Sequence, residues 1–428
     1  MRASTIAAST HVLGVCCVLF LCPAAARPQA QSLTVEQAVA EAIKNNLGLV
    51  AQRANVPIAE ARVLTARLRP NPVFSTGADH LDALGTGFNE DNGGGPSEFA
   101  VRTDFPLERG GKRRSRIEVA QQSRTVAELA FLDAVRLVAL DVENATVDVL
   151  LAKDNLDLAR DNLDSANRIV DTNAARVRTG DIAEVELIRS RVAALQFSNS
   201  LRRAELAERA AQTRLKNLMG RAAGSAVIAI AGDLRRSQTA QGRSELADSA
   251  LISRPDMQAL RRDSERASAE VRLQTAQAKV DYTVGTEYRR QQGVNGKSNT
   301  LGLFLSAELP VFNRNQGEIE RARQELKQSQ ARVRALESTI RSEVESAYDE
   351  WEASRDLLDG IEKKMLGEAR EVREVTDYSY RRGEATLLEL LDAQRAFNET
   401  MQAFNEARAE HARSLYLLDA VGGKAVNP

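Results

Sequence analysis

Tyr380-Arg381-Arg382-Gly383-Glu384-Ala385-Thr386-Leu387-Leu388-Glu389-Leu390-Leu391-Asp392 is a helical pattern interrupted by one glycine, in a region with no proline from Val311 to Asn427. Helix on both sides of a single Gly predicts the tip of a helical hairpin. Gly supplies the positive φ at the helix end, and the two preceding arginines suit the negative end of the helix dipole. Beyond the turn, Glu389 and Asp392 are spaced i, i+3, so their carboxylates share one helix face. Arg176-Val177-Arg178-Thr179-Gly180-Asp181-Ile182-Ala183-Glu184-Val185-Glu186-Leu187 repeats the design, with Glu186 and Glu389 at the same distance from their glycines.

Working outward from the two tips, the chain reads twice. Ala59-Glu60-Ala61-Arg62-Val63-Leu64-Thr65-Ala66 echoes Ala269-Glu270-Val271-Arg272-Leu273-Gln274-Thr275-Ala276, and Thr103-Asp104-Phe105-Pro106-Leu107 echoes Ala307-Glu308-Leu309-Pro310-Val311. Gly220 ends the first half as Gly422 ends the second. The repeat is far longer than a solenoid unit. The predicted division is a signal peptide over 1–26, a first repeat over 27–220, a connector over 221–243, a second repeat over 244–422 and a tail over 423–428. The connector holds one short strand candidate, Ala226 to Ile230.

Within each half the expected order is helix, β-hairpin (71–106 and 280–310), very long helix, tip, returning helix. The first helix spans Thr34 to Arg67, with Thr34 as its cap and Pro57 placed to kink it. No proline lies between Pro106 and Pro255, so a helix from about Lys112 to Thr179 would run roughly 100 Å. Its apolar positions, such as Val119, Val126, Leu129 and Leu140, have coiled-coil spacing. The expected return runs from Ile182 to Met219, and the second half follows with Gly317 to Tyr380 and Ala385 to Ala420.

The strand candidates alternate. Phe99, Val101, Thr103 and Phe105 are interleaved with Ala100, Arg102 and Asp104. Leu301, Leu303, Leu305, Ala307 and Leu309 alternate with Gly302, Phe304, Ser306 and Glu308, and Tyr282, Val284, Thr286 and Tyr288 with Thr283, Gly285, Glu287 and Arg289. Asn71 to Leu81 is a fourth, weaker candidate. Segments of about ten residues with one apolar and one polar face carry the pattern of outer-membrane barrel strands. Gly-bearing stretches, Asp82 to Pro96 and Gln291 to Asn299, suit the turns between partners. The alternative is an ordinary sheet with one face in a core. The signal segment, the paired repeats and the lack of another large core favour the membrane reading. Phe99, Val101, Leu303 and Leu305 are then the expected lipid-facing positions. Four strands cannot close a membrane barrel, and an open edge in lipid is not tolerated, so copies must share one. Three copies give twelve strands, whereas two give too narrow a bore.

Composition agrees. Of 428 residues, 27% are charged and 4% aromatic, which favours long helices with thin seams over one large core. A formal net charge of −1 lacks the basic footprint of a nucleic-acid binder. Arg2, the apolar run Val12 to Cys22 and Ala24-Ala25-Ala26 form a secretory signal pattern. All three cysteines, Cys16, Cys17 and Cys22, lie within it, so the exported chain is expected to have no thiol, disulfide or Cys-ligated metal. Lipidation of Cys22 is the alternative, against which stands the bulky Leu21.

With these elements placed, the chain resembles the TolC family of outer-membrane efflux channels over nearly its whole exported length. The resemblance rests on the duplicated halves, the two β-hairpins, the strand ends at Pro106 and Pro310, and the glycine tips with acids downstream. Arg69-Pro70-Asn71-Pro72 and Phe105-Pro106-Leu107-Glu108-Arg109-Gly110-Gly111-Lys112-Arg113 are similar to the outer-membrane component of cobalt–zinc–cadmium efflux systems. The resemblance implies a mainly α fold with a small β part: coiled-coil hairpins forming a periplasmic tunnel, and four strands given to a trimeric twelve-stranded barrel. It also implies a homotrimer in outer-membrane lipid, a periplasmic membrane-fusion adaptor and an inner-membrane RND-type pump as partners. No cofactor is expected, and an exported chain without Cys and with two His offers no transition-metal site.

By position, Glu186, Glu389 and Asp392 match the family's acids at the periplasmic gate, and Tyr380 matches a gate tyrosine. Threefold symmetry would turn the acids into rings that attract cations, and crowded carboxylates resist full ionisation. Better-known members carry a basic residue where this chain has Ala385, which leaves Arg178, Arg381 or Arg382 as substitutes in a lock. Gly180, Val185, Gly383 and Leu388 resemble the grooves where the adaptor docks. Plain solvated acids and plain C-cap glycines are the alternative readings at these positions.

The expected function is a passive exit duct of a tripartite efflux system, possible cargo being heavy-metal cations. Multidrug or organic-solvent efflux and type I secretion are alternatives within the same fold, and a periplasmic coiled-coil scaffold lies outside it. Beyond the signal segment only His80 and His411 occur, and no HExxH, nucleophile-elbow or phosphate-loop spacing is present, which argues against an enzyme.

Overall fold

The computed structural model describes residues 32–81, 83–85, 97–222, 224–236, 242–293 and 296–424. The expected signal segment with its cysteines, most of the loop expected over 82–96, the middle of the loop over 291–299 and the end of the tail lie outside the described residues.

The first helical region is three helices where one was expected: α1 (Val35–Asn45), α2 (Leu47–Arg53) and α3 (Asn55–Arg67). Thr34 caps α1 in a reciprocal capping box with Gln37. The first break falls at Asn46, not Pro57. Asn46 leaves helical geometry so that its amide can donate to the Leu218 carbonyl (2.8 Å) while its oxygen accepts from the Leu49 N–H. Pro57 lies in the first turn of α3, where its missing N–H has no helical partner to lose, and the second break, at Ala54, falls three residues before it. A two-residue strand, β1 (Ser32–Leu33), precedes α1. It pairs in parallel with β4 (Ala229–Ile230), the part of the connector that became strand.

Strands β2 (Val73–Asp79) and β3 (Glu98–Leu107) follow α3, then the 68-residue helix α4 (Lys112–Thr179) and its return α5 (Glu184–Leu218). After the connector come α6 (Arg243–Ser253), α7 (Pro255–Gln277), β5 (Tyr282–Gly293) and β6 (Gly296–Ala307). The second long helix is unbroken from Gln316 to Arg382 but not α-helical throughout. It runs as α8 (Gln316–Gly360), a π-helical turn over Ile361–Met365, and α9 (Leu366–Arg382), before the return α10 (Leu387–Val421). The left-handed residue matching Gly220 (φ 70°) is Gly423 (φ 73°), because Gly422 keeps a right-handed backbone.

The strands form one antiparallel sheet in the order β2-β3-β5-β6. Register places Phe99, Val101, Thr103 and Phe105 opposite Arg290, Tyr288, Thr286 and Val284, and these opposite Asn299, Leu301, Leu303 and Leu305. Directly opposed residues share a face. That face is mostly apolar and exposed, with Leu303 at 79%, Leu305 at 74%, Phe99 at 54% and Val101 at 44%. The other face carries an ion-paired network: Arg102 to Asp104 (2.9 Å), and Arg289 to both Glu98 (2.8 Å) and Glu287 (3.0 Å). Neither outer edge, β2 or β6, has a strand partner among the described residues.

Near the sheet the helices lie side by side as α3, α4, α7 and α8; toward the tips the row becomes α5, α4, α10 and α9. Two related cores sit where the rows change over. In one, Ala38, Ala42 and Ile43 of α1 pack on Val135, Ala139 and Val142 of α4 and on Leu215. In the other, Ala247 and Ala250 of α6 meet Ile340, Val344 and Trp351 of α8 and Leu415 and Leu418 of α10. Small alanines let the helices approach closely, so a thin wall of helices is held without a thick globular core.

Candidate functional site at the hairpin tips

Both tips have the same backbone. Gly180 (φ 81°) and Gly383 (φ 79°) are left-handed, and each closes a Schellman-type end. In the first, the Asp181 N–H donates to the Arg176 carbonyl (2.9 Å); in the second, the Glu384 N–H donates to the Ser379 carbonyl (2.9 Å).

The helices after the glycines begin differently. Thr386 caps α10 in a capping box. Its hydroxyl accepts from the Glu389 N–H (3.3 Å), and the Glu389 carboxylate accepts from the Thr386 N–H (2.7 Å) and hydroxyl (2.9 Å). These donors, the backbone N–H first, hold the Glu389 carboxyl below its ordinary range. Within one chain the shift is therefore opposite to that expected of crowded carboxylates. At the matching position of the first repeat stands Ala183, which cannot cap, and Glu186 pairs instead with Arg189 (3.2 Å). Asp392 is largely exposed and lies 3.7 Å from Arg395.

Tyr380 is buried, 6% exposed, against Ile169, Leu387 and Leu390. Its hydroxyl donates to the Asn173 side-chain oxygen (2.6 Å), tying the end of α9 to α4. Burial pushes the phenol above its ordinary range, so the hydroxyl keeps its proton. The Arg176 guanidinium stacks 5.4 Å from the same ring and donates to the carbonyls of Tyr380 (3.3 Å) and Arg381 (2.5 Å). Cationic donors on the last carbonyls of α9 complement that helix's negative end.

The cross-link between hairpins thus runs through Asn173 and Arg176. Neither follows from local pattern, because their partner is about two hundred positions away. Arg381 is occupied by Asp377 (2.8 Å), and Arg382 stacks on Tyr378 (5.1 Å). Thr386 was also missed, although Thr386-x-x-Glu389 carries the local signal of a capping box. Val185 (48%) and Leu388 (65%) are exposed beside the turns. Among the described residues no cluster of His, Cys, Asp or Glu is arranged to hold a metal ion, and no helix is long and apolar enough to cross a membrane.

Long paired helices ending in two matched tips, carried on a sheet with an apolar outer face, define a protomer of the helical-tunnel, β-barrel channel class. Residues 38–221 and 246–424 match the family described as outer membrane efflux protein, and the chain belongs to that family. It is an outer-membrane efflux component rather than an enzyme, with its helical part in the periplasm. It is similar to the cobalt-zinc-cadmium resistance protein CzcC of Cupriavidus metallidurans, 25% identical over 87% of this chain and 86% of that protein. It is also similar to the pyoverdine export outer membrane protein OpmQ of Pseudomonas aeruginosa, 26% identical over 88% and 82%. Among solved structures the fold matches CusC, with a TM-score of 0.75 at 18% identity, covering 92% of each chain.

Proposed function

We propose that three copies of this chain close one twelve-stranded barrel and one helical tunnel, and that the assembly is the passive exit duct of a tripartite efflux system. The observation that carries this reading is the four-stranded sheet with both edges unpaired and an exposed apolar face. Such a sheet satisfies its edge N–H and C=O groups in lipid only by pairing β6 of one copy with β2 of the next. The helical rows support it. The outermost helices toward the tips, α5 and α9, expose Ile188, Val192 and Leu195 on one and Val372, Val375 and Tyr378 on the other. Spacings of three and four residues make each a narrow seam suited to a neighbouring helix.

In this reading Phe99, Val101, Leu303 and Leu305 face lipid. The tips form the periplasmic mouth, where Glu186, Glu389 and Asp392 stand near the axis and their field favours cations. Tyr380 acts by tethering the second hairpin to Asn173 rather than by filling the opening. Gly180, Val185, Gly383 and Leu388 offer the adaptor its docking surface, and a pump of the RND type lies beyond it.

Similarity to CzcC, and to the nickel-cobalt-cadmium resistance protein NccC of Alcaligenes xylosoxydans xylosoxydans, supports heavy-metal cations as the cargo. Similarity to OpmQ supports a second reading, export of a siderophore-sized organic molecule. Deleting the chain and scoring both sensitivity to zinc, cobalt and cadmium and siderophore release into the medium separates them. Metal sensitivity with unchanged siderophore release is expected, and the reverse pattern would reverse the choice.

A further inference from the structure

The inner face of the sheet holds a feature that the tips do not explain. Asp104, Gly285 and Phe304 stand in one row across β3, β5 and β6, and Arg102, Glu287 and Gly302 in the next. Each row contains a glycine, and each glycine is covered by a neighbour's side chain. A Cβ on Gly302 would stand 2.9 Å from Phe304 Cε2 and 3.2 Å from Cζ, so the ring lies folded back over that residue. A Cβ on Gly285 would collide with Asp104 Oδ1. The Arg102 guanidinium lies 4.4 Å from the Phe304 ring centroid and donates from Nε and Nη2 to Asp104 (both 2.9 Å), so one side chain restrains both. Phe304 is the only aromatic residue on this face among the described residues. Gly77, on the same face of β2, has nothing within 4 Å of where its Cβ would be.

Glycine weakens a strand, and in strand interiors it marks close approach by another group. Here the approaching groups are a phenyl ring and a carboxylate that would otherwise project from the wall. We propose that Gly285 and Gly302 are seats that keep Asp104 and Phe304 flat against the barrel wall under the Arg102 clamp, and that this cluster sets the bore of the exit. The proposal rests on the shared-barrel reading, which turns this face inward and repeats the cluster three times around one lumen. A ring lifted from its seat narrows the lumen from three sides at once, so bore, and with it the size of cargo that passes, depends on two positions with no side chain.

Single-channel conductance in planar bilayers tests this through a cycle of variants of the full-length protein. Gly302→Ala is expected to lower conductance, because the added methyl displaces the ring. Phe304→Ala is expected to raise it. In the double variant the methyl has no ring to displace, so conductance returns to the Phe304→Ala level. Gly77→Ala, which fills empty space, leaves conductance at the wild-type value. Equal conductance in wild type and Gly302→Ala, or the same loss from Gly302→Ala with and without Phe304, overturns the proposal while leaving the channel reading intact. If Gly302→Ala fails to insert, Phe304→Ala decides alone, and an unchanged conductance refutes the role of the ring. Wild-type protein that forms no channel refutes the shared barrel itself, and the bore proposal falls with it.

Discussion

At Tyr380 one hydroxyl and one stacked guanidinium hold the second hairpin against the first. Among the described residues the Asn173 amide nitrogen is buried without a partner, so the Tyr380 hydroxyl makes the one hydrogen bond to this side chain. Tyr380→Phe keeps the packing and removes that bond. Because it leaves the buried Asn173 oxygen unsatisfied, it should destabilise the tip by about 1–3 kcal/mol. Hydrogen exchange at the amides of Gly383 and Glu384 should accelerate, while amides in the cores around Val142 and Ile340 are unchanged. The two tips also differ at the N-caps of their returning helices. Thr386→Ala should cost about 1 kcal/mol, and Ala183→Thr, which lets Glu186 complete a capping box, should stabilise the first tip by a similar amount. Thermal melting of the two variants checks both signs.

Two carboxyls titrate in opposite directions. Glu389 is held low by its N-cap donors, so its contribution is present above the ordinary carboxylate value and is lost as pH falls through the lower folded value. Glu143 of α4 is pushed up to about 7, first by burial and then by Asp419, against the opposing pull of Arg235 and Lys424. Its charged form is the disfavoured one, so stability falls as pH rises from the ordinary carboxylate value through about 7. Glu143→Gln should flatten the melting-temperature profile over that range, and an unchanged slope would remove Glu143 from it.

At the scale of elements, the tips and the two long hairpins were legible because a lone glycine in a proline-free helical pattern has few other uses. Strand faces were legible too, since the two-residue period assigns Phe99, Val101, Leu303 and Leu305 to one side and Ser306 to the other. The breaks were not. Asn46 ends α1 to reach the Leu218 carbonyl, a contact 172 positions away that no local pattern contains. The π-turn at Ile361–Met365 has only the flanking Gly360 and Gly367 as a local mark. Its surroundings are tertiary, with Ile361 packed on Phe404 and Ala407 and Glu362 paired with Arg236 (3.2 Å). The face assignment is testable on β6. Leu303→Arg should impair membrane insertion by roughly 2–4 kcal/mol near the bilayer midplane, and Ser306→Arg by much less. Equal defects in a urea-titrated insertion assay would reject the assigned faces.

At the scale of the molecule, a duplicated chain builds four helices abreast and four strands abreast, a wall one layer thick rather than a domain with a large interior. Its edges make sense only against other copies. In the mouth that three copies would form, Glu389→Gln together with Asp392→Asn removes charge while Gln preserves the capping-box geometry. Cation preference and block by divalent ions should weaken, with melting little changed. Reversal potentials under a low-salt gradient, where screening is weakest, measure this, and identical values in variant and wild type would take these acids out of the pore. The shared barrel is the claim on which the rest depends. Its most direct test is the native mass of the folded protein extracted from the outer membrane in mild detergent. Three copies per particle are expected. A particle of one copy with its helical circular-dichroism signal intact would contradict the account.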